Sequence, residues 1–195
     1  MREEYKALIA PARLWSRAEV FSRPCPVPRE AGIYAWYFRS VPTNIPIDAC
    51  HVRDGAALLY IGISPREPPK NGARSSRQRL ISRIRYHYRG NAAGSTLRLT
   101  LGCLLASTLG IELRRVGSGQ RYTFAEGENL LSQWMDDHAL VCWVPTESPW
   151  ILESLAISEL SLPLNLRGNE RHAFHPKLSS LRRNQRRRAD QLPIC

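Results

Sequence analysis

Apolar and polar positions alternate along two short stretches, GIYAWYF over residues 32–38 and ALLYIGIS over 57–64, and a period of two predicts strands. In the first, Ile33, Ala35 and Tyr37 share one face and Tyr34, Trp36 and Phe38 the other. In the second, Leu59, Ile61 and Ile63 oppose Leu58, Tyr60 and Gly62. Each strand sets a tyrosine beside a glycine, which plain core packing does not ask for: a strand glycine weakens the sheet and a buried phenol needs a partner. Tyr60 and Gly62 fall on the same face, leaving room there for a group that approaches closely.

The segment between these strands contains Pro42 and Pro46 and closes on Asp54-Gly55, so it reads as a long loop. Residues 2–10 and 12–22 can form short helices, interrupted by Pro11 and ended by the prolines of SRPCPVPREAG. After PREPPKNGARSS the period changes: Leu80, Ile81, Ile84 and Tyr88 recur at helical spacing, with Ser75 or Ser76 able to cap the start. Arg83 and His87 then lie one turn apart on that helix. TLRLTLGCLLASTLG reads as a helix stopped by Gly110, IELRRV and QRYTF as a hairpin, and EGENLLSQWMDDHA as a helix with Leu130, Leu131 and Trp134 inward. LVCWVP is a buried strand, and Ser148-Pro149 opens a further helix that Pro163 ends. Glu153 and Glu159 both fall among that helix's apolar positions, where a lone carboxylate is costly without a cation or donors. Periodicity does not distinguish the two.

Charge changes the picture next. The 195 residues carry 28 Lys+Arg against 17 Asp+Glu, a formal +11, which makes an acidic polymer the default partner. The excess is concentrated in two segments. Between residues 66 and 89 eight basic residues face Glu67 alone, and between 167 and 195 eight face Glu170 and Asp190. Nearly all are arginines, which grip phosphate bidentately. Within them Arg79, Arg85, Arg89, Lys177, Arg182, Arg183, Arg186 and Arg187 are the candidate nucleic-acid contacts, with residues 177–190 either a helix or disordered. The length fits one domain, and 43% hydrophobic residues suffice for a core. No apolar run is long enough to span a bilayer. The five cysteines lack CxxC spacing, so buried thiols in a reducing cytoplasm are expected.

The polar residues hardest to explain as packing are Tyr34, Tyr60, Arg83, His87, Glu153 and Asn165. Their contexts are GIY at 32–34, YIG at 60–62, RIRYH at 83–87, and Glu153 followed by PLN at 163–165, and together they resemble the GIY-YIG nuclease superfamily. Either tripeptide alone is weak; both in order, with Arg and His on one helix and then Glu and Pro-x-Asn, are specific. The resemblance runs from about residue 31 to 166. It implies an α/β (α+β) fold, a small, mostly antiparallel three-stranded sheet flanked by helices, with a helical insertion around 111–139. A 1–30 N-terminal helical and Pro-rich segment and a 167–195 basic tail lie outside it.

The resemblance also implies a metal-dependent DNA endonuclease. Glu153 would hold Mg²⁺ or Mn²⁺, Arg83 would neutralise charge on the phosphoryl oxygens, and Tyr34 would orient or deprotonate the attacking water. For that the Tyr34 pKa must be lowered by a cation. His87 would take the phenol's proton or bind phosphate, Tyr60 would bind phosphate or water, and Asn165 would anchor the backbone or the substrate. Arg79 competes with Arg83 for the arginine role, and the Arg83 context, with His87 four residues on, fits the motif better. The alternative is a nucleic-acid-binding module that keeps the fold without cleaving. Specificity and oligomeric state are not encoded legibly.

Overall fold

The computed structural model describes residues 2–42, 44–69 and 76–195; Lys70, Arg74 and Ser75 lie outside the described residues. In chain order the elements are α1 (Arg2–Ile9), α2 (Arg17–Val20), β1 (Gly32–Phe38), β2 (Val52–Arg53), β3 (Ala56–Ser64), α3 (Leu80–Arg89), α4 (Thr96–Leu109), β4 (Arg114–Val116), β5 (Arg121–Thr123), α5 (Gly127–His138), β6 (Ala139–Pro145), α6 (Pro149–Glu159) and α7 (His175–Asp190).

β1 is the hub of the main sheet. It pairs antiparallel with β3 on one side and β6 on the other, and β2 adds to the outer edge of β3 through two residues, giving the order β2-β3-β1-β6. The expected three-stranded sheet is thus present with a short fourth strand. Helices cover both faces, so all seven residues of β1 are buried. Tyr34, Trp36 and Phe38 join a core shared with α3, α4, α5 and α7, while Ile33, Ala35 and Tyr37 join one shared with α1 and α6. These are the faces that the alternation predicts for β1.

In β3 the alternation breaks. Trp36 pairs with Tyr60 but Tyr37 pairs with Leu58, so Leu59 is the extra residue of a β-bulge. Leu59 therefore lies in the same core as Tyr60, and Leu58 in the same core as Ile61. The period-two expectation, which grouped Leu59 with Ile61 and Leu58 with Tyr60, fails at both leucines.

Other departures are local. The helix expected at 12–22 is a single turn, α2, started by Ser16 in a capping box with Glu19. Ser76 does not cap α3; Arg79 is the N-cap, its backbone N–H donating to Ser82 Oγ. On α5 Leu131 and Met135 turn inward, Trp134 is half-buried and Leu130 is 44% exposed. Of the two carboxylates on α6, Glu159 is exposed and Glu153 half-buried. The basic tail forms the helix α7, docked on α4 and β4 through the buried Leu178 and Ala189.

The 111–139 segment is more than an appendage. Glu128 of α5 pairs with the fully buried Arg98 of α4 at 2.6 Å, and Arg98 also donates to the carbonyls of His87 and Tyr88 at the end of α3. This pair locks three helices together, and removing one partner of such a buried pair costs about 3–5 kcal/mol. Among the described residues no helix is long and apolar enough to cross a membrane.

Candidate active site

Tyr34 of β1 sits opposite Gly62 of β3 in the strand register. A Cβ at residue 62 would stand 2.5 Å from Tyr34 Oη, so the missing side chain of Gly62 is the space the phenol occupies. Tyr60 is on the same side of the sheet, in the same core, and both rings line one cleft of about 690 Å³. The two tyrosines share that cleft.

The Tyr34 hydroxyl is held from α3. Arg83 Nε donates to it at 3.3 Å, and His87 Nε2 lies 2.8 Å away. Arg83 is fixed in turn by Nη1 donating to the Gly94 carbonyl at 2.8 Å. His87 is fully buried in a cage of Tyr34, Trp36 and Tyr60 rings. Burial, followed by the nearby Arg83 and Arg98 cations, pushes its pKa well below the ordinary histidine value, so the ring is neutral. Its Nδ1 meets Ser95 Oγ at 2.7 Å, and Ser95 Oγ already accepts the Arg98 N–H as the N-cap of α4. Ser95 Oγ keeps a second lone pair that can accept Nδ1–H; with the serine proton directed to Nδ1 instead, Nε2–H is left to donate to Tyr34 Oη. Two N–H donors then point at one phenol oxygen. Burial nonetheless pushes the Tyr34 pKa up, and Arg83 offsets this only in part. The unaided protein does not supply the lowered pKa that a general base needs.

Asn165 acts on the backbone. Beyond the two residues paired with β2, the outer edge of β3 has no strand partner among the described residues. The Asn165 side chain replaces one: Oδ1 accepts the Ile61 N–H and Nδ2 donates to the Ile61 carbonyl, both at 2.9 Å. Leu164 N–H donates to the Leu59 carbonyl beside it. Asn169 holds the segment by donating to the carbonyls of Leu162 and Asn165. Ile61 lies between Tyr60 and Gly62, so this clamp sets the strand at the cleft.

Glu153 enters the same cleft from α6, beside Tyr34, Tyr60, Arg83 and Asn165. Burial pushes its pKa up to about 7, against the opposing pull of Arg167 and Arg66. Among the described residues its carboxylate has no hydrogen-bond or ion-pair partner. A half-buried carboxylate with no such direct partner is costly and fits a hard cation. Among the described residues no cluster of three or more His, Cys, Asp or Glu side chains forms. A cation held at Glu153 would draw its remaining ligands from substrate oxygens and water.

The other basic candidates scatter. Arg79 is exposed at the start of α3 and does not line the cleft, whereas Arg83 does. Arg85 donates to the Val20 carbonyl, and Arg89 stacks 3.7 Å over Phe21, so both brace the N-terminal segment. Lys177, Arg183 and Arg187 are exposed on α7, and Arg182 and Arg186 border a second cleft. Ser95, Arg66 and Trp150, which also reach the site, escaped the sequence reading. Only Ser95 carried a signal, as a cap residue before an apolar run.

Among known proteins, the family described as GIY-YIG catalytic domain matches residues 32–185. No curated relative and no solved structure matches the chain significantly. The match covers most of the chain and every residue that builds the cleft, from Tyr34 to Asn165, and the sheet and helices place those residues together. The chain belongs to the GIY-YIG catalytic-domain family, a nuclease-type family.

Proposed function

We propose that the protein is a metal-dependent DNA endonuclease that hydrolyses phosphodiester bonds in the cleft between β3, α3 and α6. One observation carries the reading: Tyr34 Oη, gripped by Arg83 and His87, shares a cleft with a half-buried carboxylate that has no partner among the described residues. Arg83 binds a non-bridging phosphate oxygen and offsets the charge that builds there as water adds. Tyr60 donates from β3 to another oxygen. Mg²⁺ or Mn²⁺ held at Glu153 would polarise the phosphate, neutralise the leaving oxygen and draw the Tyr34 pKa down.

With its own phenol proton already lost to solvent, Tyr34 Oη takes the proton of the attacking water as the new P–O bond forms and the bond to the leaving oxygen breaks; the leaving oxygen takes its proton from solvent. The two N–H donors from Arg83 and His87 stabilise the phenolate that receives this proton. His87 acts through Tyr34 as a positioning residue and stays neutral. Ser95 fixes its tautomer.

Nicking of supercoiled plasmid tests this reading. Wild type is expected to nick with Mg²⁺ or Mn²⁺ and to stop on addition of EDTA, and Tyr34→Phe to be severely impaired. DNA binding without cleavage under either metal supports the non-catalytic module instead.

A further inference from the structure

A second cleft of about 270 Å³ adjoins the first and shares Arg66 and Thr96 with it. Four arginines line it from three separate parts of the fold: Arg66 from the loop after β3, Arg121 from β5, and Arg182 with Arg186 from α7. Among the described residues no carboxylate lines it and none of the four arginines has an acidic partner. Arg182 is half-buried and donates to Thr100 Oγ1 at 3.4 Å, and burial together with Arg186 pushes its pKa down. A cation held there without a counter-charge calls for an anion from outside. Asp190, at the end of α7, is occupied by Tyr122 Oη at 2.7 Å and Arg115 Nε at 3.9 Å. The first turn of α4, a helix of 14 residues, also borders the cleft at Thr96 and adds its positive end to the arginines.

Resting on the nuclease reading above, we propose that this second cleft is a phosphate subsite that holds a flanking phosphodiester of the strand being cut. Arg66 belongs to both clefts and lies close enough to Glu153 and Tyr34 to act on their charges, so the strand passes it between the scissile and flanking phosphates. The spacing of Arg182 and Arg186 puts both on the stripe of α7 that continues from the buried Leu178. Arg183 and Arg187 lie off that stripe. The hairpin of the 111–139 segment and the helix of the basic tail thus serve one purpose: together they extend the cleft along the nucleic acid.

The test is binding of the full chain to a labelled duplex in EDTA, so that no turnover is required. Neutral methylphosphonates replace one backbone phosphate at a time. In wild type one position beside the scissile phosphate is expected to weaken binding about tenfold, and Arg182→Ala to weaken the unmodified duplex by a similar factor. The two losses should not add, because they remove the same contact. Arg186→Ala, an exposed position whose guanidinium lies 5.6 Å over the Tyr122 ring, repeats the test outside the buried core, and Arg188→Ala is the charge-matched control that leaves the scan unchanged. If the scan in Arg182→Ala and Arg186→Ala matches that of wild type, the subsite is refuted even where cleavage is normal. A protein that binds with this pattern but does not cut refutes the nuclease reading and leaves the subsite standing.

Discussion

Tyr34 and Gly62 face each other across the β1–β3 pair so closely that a single methyl group at residue 62 would sit 2.5 Å from the phenol oxygen. The last residue of one tripeptide motif, Tyr34 of GIY, therefore requires the last residue of the other, Gly62 of YIG. The glycine makes room for the hydroxyl that Arg83 and His87 then orient.

Gly62→Ala should move the phenol off its two donors. The expected cost in stability is about 1–3 kcal/mol, the range for overpacking a filled core. The cleavage rate should fall by more than that loss explains, while DNA affinity stays near wild type. Single-turnover kinetics beside a denaturant melt measure both, and an unchanged rate in a folded Gly62→Ala protein removes the steric argument.

Ser95→Ala removes two contacts at once, the cap on Arg98 N–H and the partner of His87 Nδ1. Loss of the cap costs about 1 kcal/mol. Freed from the serine, the imidazole can take the other tautomer, which withdraws one donor from Tyr34. The rate should drop with little change in Kd, and Ser95→Thr should restore it. Loss of stability alone, with full activity, would mean that Ser95 is only a cap.

Asn165→Ala leaves the N–H and carbonyl of Ile61 without their partners. Each buried orphan costs about 1–3 kcal/mol. Asn165→Asp keeps the acceptor for Ile61 N–H and loses the donor to its carbonyl, so it should be intermediate in stability. Equal melting temperatures for Asn165→Ala and wild type would contradict the clamp.

His87 supplies a pH signature. Its pKa in the folded protein is depressed, first by burial and then by Arg83 and Arg98, and the phenols of Tyr34 and Tyr60 also face it. Below the unfolded pKa, about 6.5, the unfolded chain takes up a proton that the folded chain refuses, so stability falls with pH. The slope approaches about 1.4 kcal/mol per pH unit and persists down to the folded pKa. Above 6.5 the residue contributes no slope. Denaturant melts of wild type and His87→Gln between pH 8 and 5 should diverge below 6.5, and parallel curves would mean that His87 is not held neutral.

Much of this was legible in the chain because period-two and helical spacing report which residues share a face. Tyr34 with Trp36 and Phe38, and Arg83 with His87, follow from such local geometry. The bulge at Leu59 was invisible, since only the pairing of Trp36 with Tyr60 and of Tyr37 with Leu58 reveals it. Glu153 and Glu159 look alike on a helical wheel; tertiary packing separates them, turning Glu153 to the cleft and leaving Glu159 exposed near Tyr5. The roles of Ser95, Arg66 and the Arg98–Glu128 pair depend on contacts between elements, and no sequence period encodes those.

The most direct measurement is the single-turnover cleavage rate of a DNA duplex across a Mg²⁺ titration, for wild type and Glu153→Gln, with DNA affinity measured in parallel. Wild type is expected to show a saturable metal dependence, and Glu153→Gln a rate lower by roughly a thousandfold with affinity preserved, a loss of about 4 kcal/mol of transition-state stabilisation. Cleavage by Glu153→Gln at the wild-type rate and with the wild-type metal dependence would contradict a catalytic metal held at Glu153.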